Sequence, residues 1–182
     1  MPMRRPYVVL LVLTLTTMFC FIAMAADKIS ATLKSSVDRN YRRTYQFYWR
    51  EYSEDKRQIR DFYINRVMAS AVADGRAIPN GAIIVMEVSG AELGPDGQVL
   101  RDGNGKMILG SLNVVSVMEN ISGAGALVPK DQANGDWTYF FFSDNFDDKT
   151  TSADRADCLR CHKSAEGSAF VFTYDAIRKA VR

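Results

Sequence analysis

Histidine and cysteine are almost absent from this chain. One histidine and three cysteines occur in 182 residues, which leaves little from which to build a four-ligand zinc site. A surplus of one charge is missing as well, since 23 Lys and Arg stand against 21 Asp and Glu. With no basic stripe, that balance argues against a nucleic-acid role. There is no Gly-rich phosphate loop, no internal repeat and no low-complexity linker. Long apolar runs are lacking too: the longest, from about Tyr7 to Ile22, falls short of the roughly 20 residues that span a bilayer.

That run follows Arg4 and Arg5 and precedes Ala23-Met24-Ala25, the order of a secretory signal peptide over residues 1–25. Cys20 does not read as a lipidation site, because the bulky Phe19 precedes it. Cleavage leaves residues 26–182 as one domain, exported to the periplasm and without a stable membrane anchor. Its charge is formally neutral, because removing Arg4 and Arg5 from the 23 basic residues matches them to the 21 acidic ones.

Two of the three cysteines and the single histidine fall together in Cys158-Leu159-Arg160-Cys161-His162. C-x-x-C-H is the pattern in which two thiols bond to haem vinyl groups and the next residue ligates the iron. The expected cofactor is therefore one covalent haem c, with Cys158, Cys161 and His162 as cofactor-binding residues and His162 as the metal ligand. Zinc would need two further ligands that the mature chain lacks. A thioredoxin-like pair is expected at the start of a helix after an early strand, and this motif is late and in a polar stretch. A plain periplasmic disulfide stays open as the remaining alternative.

Ahead of the motif the pattern changes from helical to extended. Val37, Tyr41, Tyr45, Tyr48 and Tyr52 recur at steps of three and four, which predicts an amphipathic helix. A second helix is expected from about Ser53, with Ile59, Phe62, Tyr63 and Val67 inward, ending by Gly75. Three strands are expected at Ala82–Val88, Leu112–Glu119 and Trp137–Phe142, rich in β-branched or aromatic residues and bounded by turn formers. Between the first two, Pro95-Asp96-Gly97 and Asp102-Gly103-Asn104-Gly105 signal turns of a long hairpin loop or a small extra hairpin. Their spacing fails the calcium-loop pattern. A closing helix is expected over Tyr174–Arg182 with Thr173 as N-cap. The fold class is thus α+β, mainly β: an antiparallel sheet packed with N-terminal helices, with haem attached near the C-terminus. An all-helical small cytochrome c, with an early motif and a downstream axial methionine, does not fit; the last methionine is Met118.

From Tyr41 to Thr173 the residues resemble the cytochrome P-460 family, which includes the β-sheet cytochromes called c-prime-beta. The resemblance is carried by Phe62-Tyr63-Ile64-Asn65, Ile78-Pro79-Asn80-Gly81 leading into Ala82–Val88, Val117-Met118-Glu119-Asn120, Trp137-Thr138-Tyr139-Phe140, the C-x-x-C-H motif and Phe170-Val171-Phe172-Thr173. It implies an antiparallel sheet packed with helices, a homodimer, and a haem with histidine on one side of the iron and an open or weakly held position on the other. It also implies chemistry on nitric oxide or hydroxylamine. Hydroxylamine-oxidising members carry a lysine cross-linked to the porphyrin, but the matching positions here are Met86 and Asn120, and the nearest lysine in sequence is Lys106. Weight therefore moves toward nitric oxide.

Met86, Phe140 and Phe142 are the candidates for the distal pocket. Strand alternation puts Phe140 and Phe142 on one face and Trp137, Tyr139 and Phe141 on the other. Met86 is a candidate sixth ligand or a core residue. Glu87 and Glu119 qualify as proton donors only if they turn into the pocket, and solvent-facing positions are expected for them. Arg160 and Lys163 are candidates for haem propionates or a docking patch. Expected partners are a small gaseous or nitrogen-oxide ligand, a periplasmic redox partner and a second copy of the chain. The competing function is a periplasmic electron-transfer cytochrome with both axial positions filled. A haem-free module held by a disulfide is the third.

Overall fold

In the computed structural model, which describes residues 33–182, five strands form one antiparallel sheet in the order of the chain. The expected signal peptide lies outside the described residues. A single turn of helix α1 (Tyr41–Thr44) leads into β1 (Gln46–Ser53) and β2 (Gln58–Ile64). Helix α2 (Arg66–Ala73) follows, then β3 (Ile83–Ala91), β4 (Leu109–Asn120) and β5 (Trp137–Phe142). The chain closes with α3 (Ser152–His162), a 3-10 segment (Lys163–Ser168) and α4 (Tyr174–Ala180).

The α+β class and the sheet agree with the sequence, but the N-terminal helices do not. The tyrosine-bearing segment expected as one helix is a turn followed by β1, and much of the second expected helix is β2. Gln46-Phe47-Tyr48-Trp49 puts three aromatics in succession, a composition that favours extended backbone. A bulge between Phe47 and Trp49 also shifts the strand's register, masking its period of two. Beyond the single turn at Tyr41–Thr44, helix survives at Arg66–Ala73, where Asn65 caps it: its Oδ1 accepts from Met68 N–H at 3.0 Å. The same oxygen accepts from Ile83 N–H at 3.1 Å, and Nδ2 donates to the Gly81 carbonyl at 2.7 Å, so one side chain ties α2 to the start of β3. Gly81, at φ 81°, makes the turn that admits the chain into that strand.

The segment between β3 and β4 forms two small bridged turns, Leu93 with Val99 and Arg101 with Met107. Helix α3 starts with a capping box, in which Thr151 Oγ1 accepts from Asp154 N–H at 3.1 Å and Asp154 accepts from Thr151 N–H. Thr173 flanks α4, but its hydroxyl makes no cap; it bonds the Tyr48 hydroxyl at 2.7 Å.

Register assigns the two faces of the sheet. Trp49, Phe62, Met86, Ser116 and Phe141 stand side by side across all five strands, next to a row of Ile64, Ile84, Met118 and Tyr139. That second row packs with Met68, Leu159, Val171 and Ile177, joining α2, α3 and α4 into the main apolar core. On the opposite face Val85, Val117 and Phe140 are fully buried. Three carboxylates are also buried there, each partnered as buried charge requires. Arg50 grips Asp61 with two bonds of 2.6 Å, Tyr41 and Arg42 donate to Glu87, and Ser35 and Ser36 donate to Glu119.

Candidate functional site

Cys158, Cys161 and His162 occupy the last turns of α3, and their spacing of three and four residues places them on one side of that helix. Leu159, between them, turns into the core. Both cysteines are free thiols, Cys158 half-buried and Cys161 exposed. Burial pushes the Cys158 thiol up to about 11, with the nearby Asp154 and Cys161 adding to the rise. A redox-active pair has the reverse setting, at a helix start where the thiolate is stabilised.

The His162 ring is half-buried and packs against Tyr139 and Phe172, each with its ring centroid 4.9 Å away. Its Nδ1 lies 2.7 Å from the Phe170 carbonyl oxygen. A carbonyl only accepts, so Nδ1 carries the proton and Nε2 keeps a free lone pair. Burial lowers the imidazole's pKa, and the bond to Phe170 partly opposes that shift. A neutral imidazole, fixed in one tautomer by a backbone carbonyl, is the form in which histidine coordinates metal.

His162 and Cys158 border a cavity of about 360 Å³, within the range of cofactor and small-molecule pockets. One wall is the sheet row from Trp49 to Phe141, extended by Ile84, Met118 and Tyr139. The other includes Val171, Phe172 and Thr173. Most of this lining is apolar. The exceptions on the sheet side are the Ser116 hydroxyl, the Tyr139 phenol and the Glu51–Arg60 ion pair of 3.1 Å. Arg60 lies four residues along β2 from Ile64, roughly 13 Å at the rise of a strand.

A family model described as Cytochrome P460 matches residues 38–173. The chain belongs to the cytochrome P460 family. Membership makes it a c-type haem protein. A comparison with curated proteins returns no match.

Of the wall residues expected in this cytochrome P460 chain, Met86 is on the cavity. Phe140 borders it, but strand alternation turns its ring to the other face, with the Arg155 guanidinium 5.2 Å from its centroid. Phe142 is not on the lining; it stacks on Phe146 with centroids 4.6 Å apart. The aromatics that do face the cavity from β5 are Tyr139 and Phe141, the alternate set. Glu87 and Glu119 face away from the cavity, and both are buried rather than solvent-facing. Arg160 pairs at the surface with Asp157, and Lys163 donates to the Ala133 carbonyl at 3.0 Å; neither is on the lining. Lys106 sits with its ammonium 5.1 Å from the Tyr52 ring, also off the lining. Sequence reasoning missed Trp49, Arg60 and Ser116. The clue to Trp49 and Arg60 was period-two alternation in β1 and β2, hidden by the helical spacing of the tyrosines.

Proposed function

We propose that this chain is a periplasmic c-type haem protein with an open distal site that binds or redox-converts small nitrogen compounds, nitric oxide before hydroxylamine. In this reading Cys158 and Cys161 hold one haem covalently and His162 ligates its iron. The observation that carries it is the convergence of two free thiols and an Nδ1-protonated histidine on one helix side, beside an apolar cavity. Bound haem supplies a redox-active iron able to take a small ligand.

The chain's own residues do the rest. Phe170 holds the His162 proton at Nδ1 and so aims the Nε2 lone pair. Phe62, Met86 and Phe141 form a wall that excludes water and admits small neutral molecules in preference to hydrated anions. Ser116 offers one hydroxyl on that wall, without a side-chain partner among the described residues, for a polar end of a ligand. Arg60 suits a haem carboxylate at the far end of the cavity, with Glu51 as its present partner.

No lysine is on the lining among the described residues. This favours nitric oxide over hydroxylamine, which the resemblance couples to a lysine cross-link. Met86 and Met118 on the wall support the second reading, an electron carrier with a methionine as sixth ligand. Titration of purified holoprotein with nitric oxide, followed by absorption, separates the two. A saturable shift with one ligand per haem supports the proposal, and a spectrum indifferent to the gas supports the carrier.

A further inference from the structure

Ala169 and Phe170 stand one after the other in the left-handed region, Ala169 at φ 56° and ψ 34° and Phe170 at φ 65°. Residues with a Cβ avoid this conformation, and two in succession persist only where surrounding bonds over-determine them. Three bonds do so here. Ala169 N–H donates to Glu166 O at 3.1 Å, Phe170 N–H to Ala165 O at 2.8 Å, and the Trp137 indole Nε1–H to Ala169 O at 3.0 Å. The first two are local to the 3-10 turn. The third comes from β5, buried in the core, and is the only donor that an indole has.

The next carbonyl along is the one that His162 uses. Trp137 anchors the Ala169 carbonyl, one residue before the Phe170 carbonyl whose oxygen lies 2.7 Å from His162 Nδ1. If Trp137 served only as core filling, its nitrogen would need no more than any nearby acceptor. The acceptor it uses is the first carbonyl of the left-handed pair whose second carbonyl meets the imidazole.

We propose that Trp137 is a positioning residue for His162, acting through Ala169 and Phe170 to set the plane and donor strength of the axial imidazole. This rests on the reading of His162 as the haem ligand. A strong Nδ1–H hydrogen bond raises the basicity of the coordinating nitrogen, which favours the oxidised iron. Loss of the brace weakens that bond.

The test uses holoprotein carrying Trp137→Phe, and a second variant in which the Trp137 indole N–H is replaced by sulfur (3-benzothienylalanine), which keeps the bulk of the ring. Resonance Raman of the reduced protein reads the iron–histidine stretch, and a redox titration reads the potential. In both variants the stretch is expected to move to lower frequency and the potential to rise. An unchanged stretch and potential in the sulfur variant overturns the proposal, because packing is retained there and only the donor is gone. Five-coordinate wild-type iron with no iron–histidine band overturns the reading of His162 itself, and the proposal with it; if the iron is six-coordinate, the potential alone decides.

Discussion

Met86 on β3 stands directly opposite Ser116 on β4, and both line the cavity beside His162. A thioether and a hydroxyl side by side offer different things: the sulfur a soft, weak ligand, the hydroxyl a hydrogen bond. The nitric oxide reading assigns the active part to Ser116. Replacing Ser116 with Ala removes the donor and takes away one oxygen atom, adding no bulk to the wall. Losing one neutral hydrogen bond, worth about 1 kcal/mol, should speed release of bound nitric oxide by about fivefold. Stopped-flow release rates check this, and an unchanged rate would show that Ser116 does not reach the ligand.

Asn134 is fully buried and ties β5 to α3. Its Nδ2 donates to the Leu159 carbonyl at 2.9 Å and to the Tyr139 hydroxyl at 3.2 Å. Asn134→Ala removes both bonds beside the Cys158–His162 turn, where the Leu159 carbonyl keeps only Lys163 N–H; two bonds at about 1 kcal/mol each put the loss of stability at about 2 kcal/mol. Urea unfolding of the variant against wild type measures it; a difference indistinguishable from zero would mean that water or a shift of α3 restores the bonds.

The central strands were legible in the sequence because their residue types and their packing agree. Trp137–Phe142 is a strand end to end as expected; β3 starts one residue later than expected and runs on to Ala91, and β4 extends its expected run at both ends. The edge of the sheet was not. Tyr41, Tyr45, Tyr48 and Tyr52 keep helical steps by coincidence, spread over a turn, a bulged strand and both of its faces. Helix α3 was hidden for the opposite reason: only Arg155 and Leu159 are buried on it, too few for an apolar stripe. Its legible cue was the Thr151–Asp154 capping box. The site followed the same division. Its chemistry was readable from three residues of one motif, whereas the wall across β1 to β5 depends on long-range register that no local pattern encodes.

Alkaline pH should weaken the fold. Burial raises the pKa of Tyr41, Tyr48 and Tyr139, and the bond to Glu87 adds to it at Tyr41. Each phenol therefore binds its proton more tightly folded than unfolded. Their contribution is full below the unfolded tyrosine value near pH 10, and is lost as pH rises through and beyond it. Urea midpoints should fall between about pH 9 and about pH 11, and less steeply in Tyr48→Phe. A midpoint that stays flat over this range would contradict the assignment of these phenols as buried acids.

The two thiols should differ sharply in haem-free protein. Cys161 is exposed, whereas Cys158 is half-buried with its thiol raised to about 11. Only the thiolate reacts. At about pH 8, iodoacetamide should label Cys161 well before Cys158. Peptide mapping over time reads the order, and equal rates would mean that the end of α3 opens in the absence of haem.

The central claim is a histidine-ligated haem c whose other axial position is exchangeable. The most direct measurement is the coordination state of the iron in the purified, reduced holoprotein, by resonance Raman and absorption. The account predicts five-coordinate, high-spin iron with an iron–histidine stretch that disappears in the Trp49–Phe141 cavity's own ligand-bound state when nitric oxide is added. Six-coordinate, low-spin iron unmoved by nitric oxide would contradict it and point to Met86 or Met118 as a second ligand.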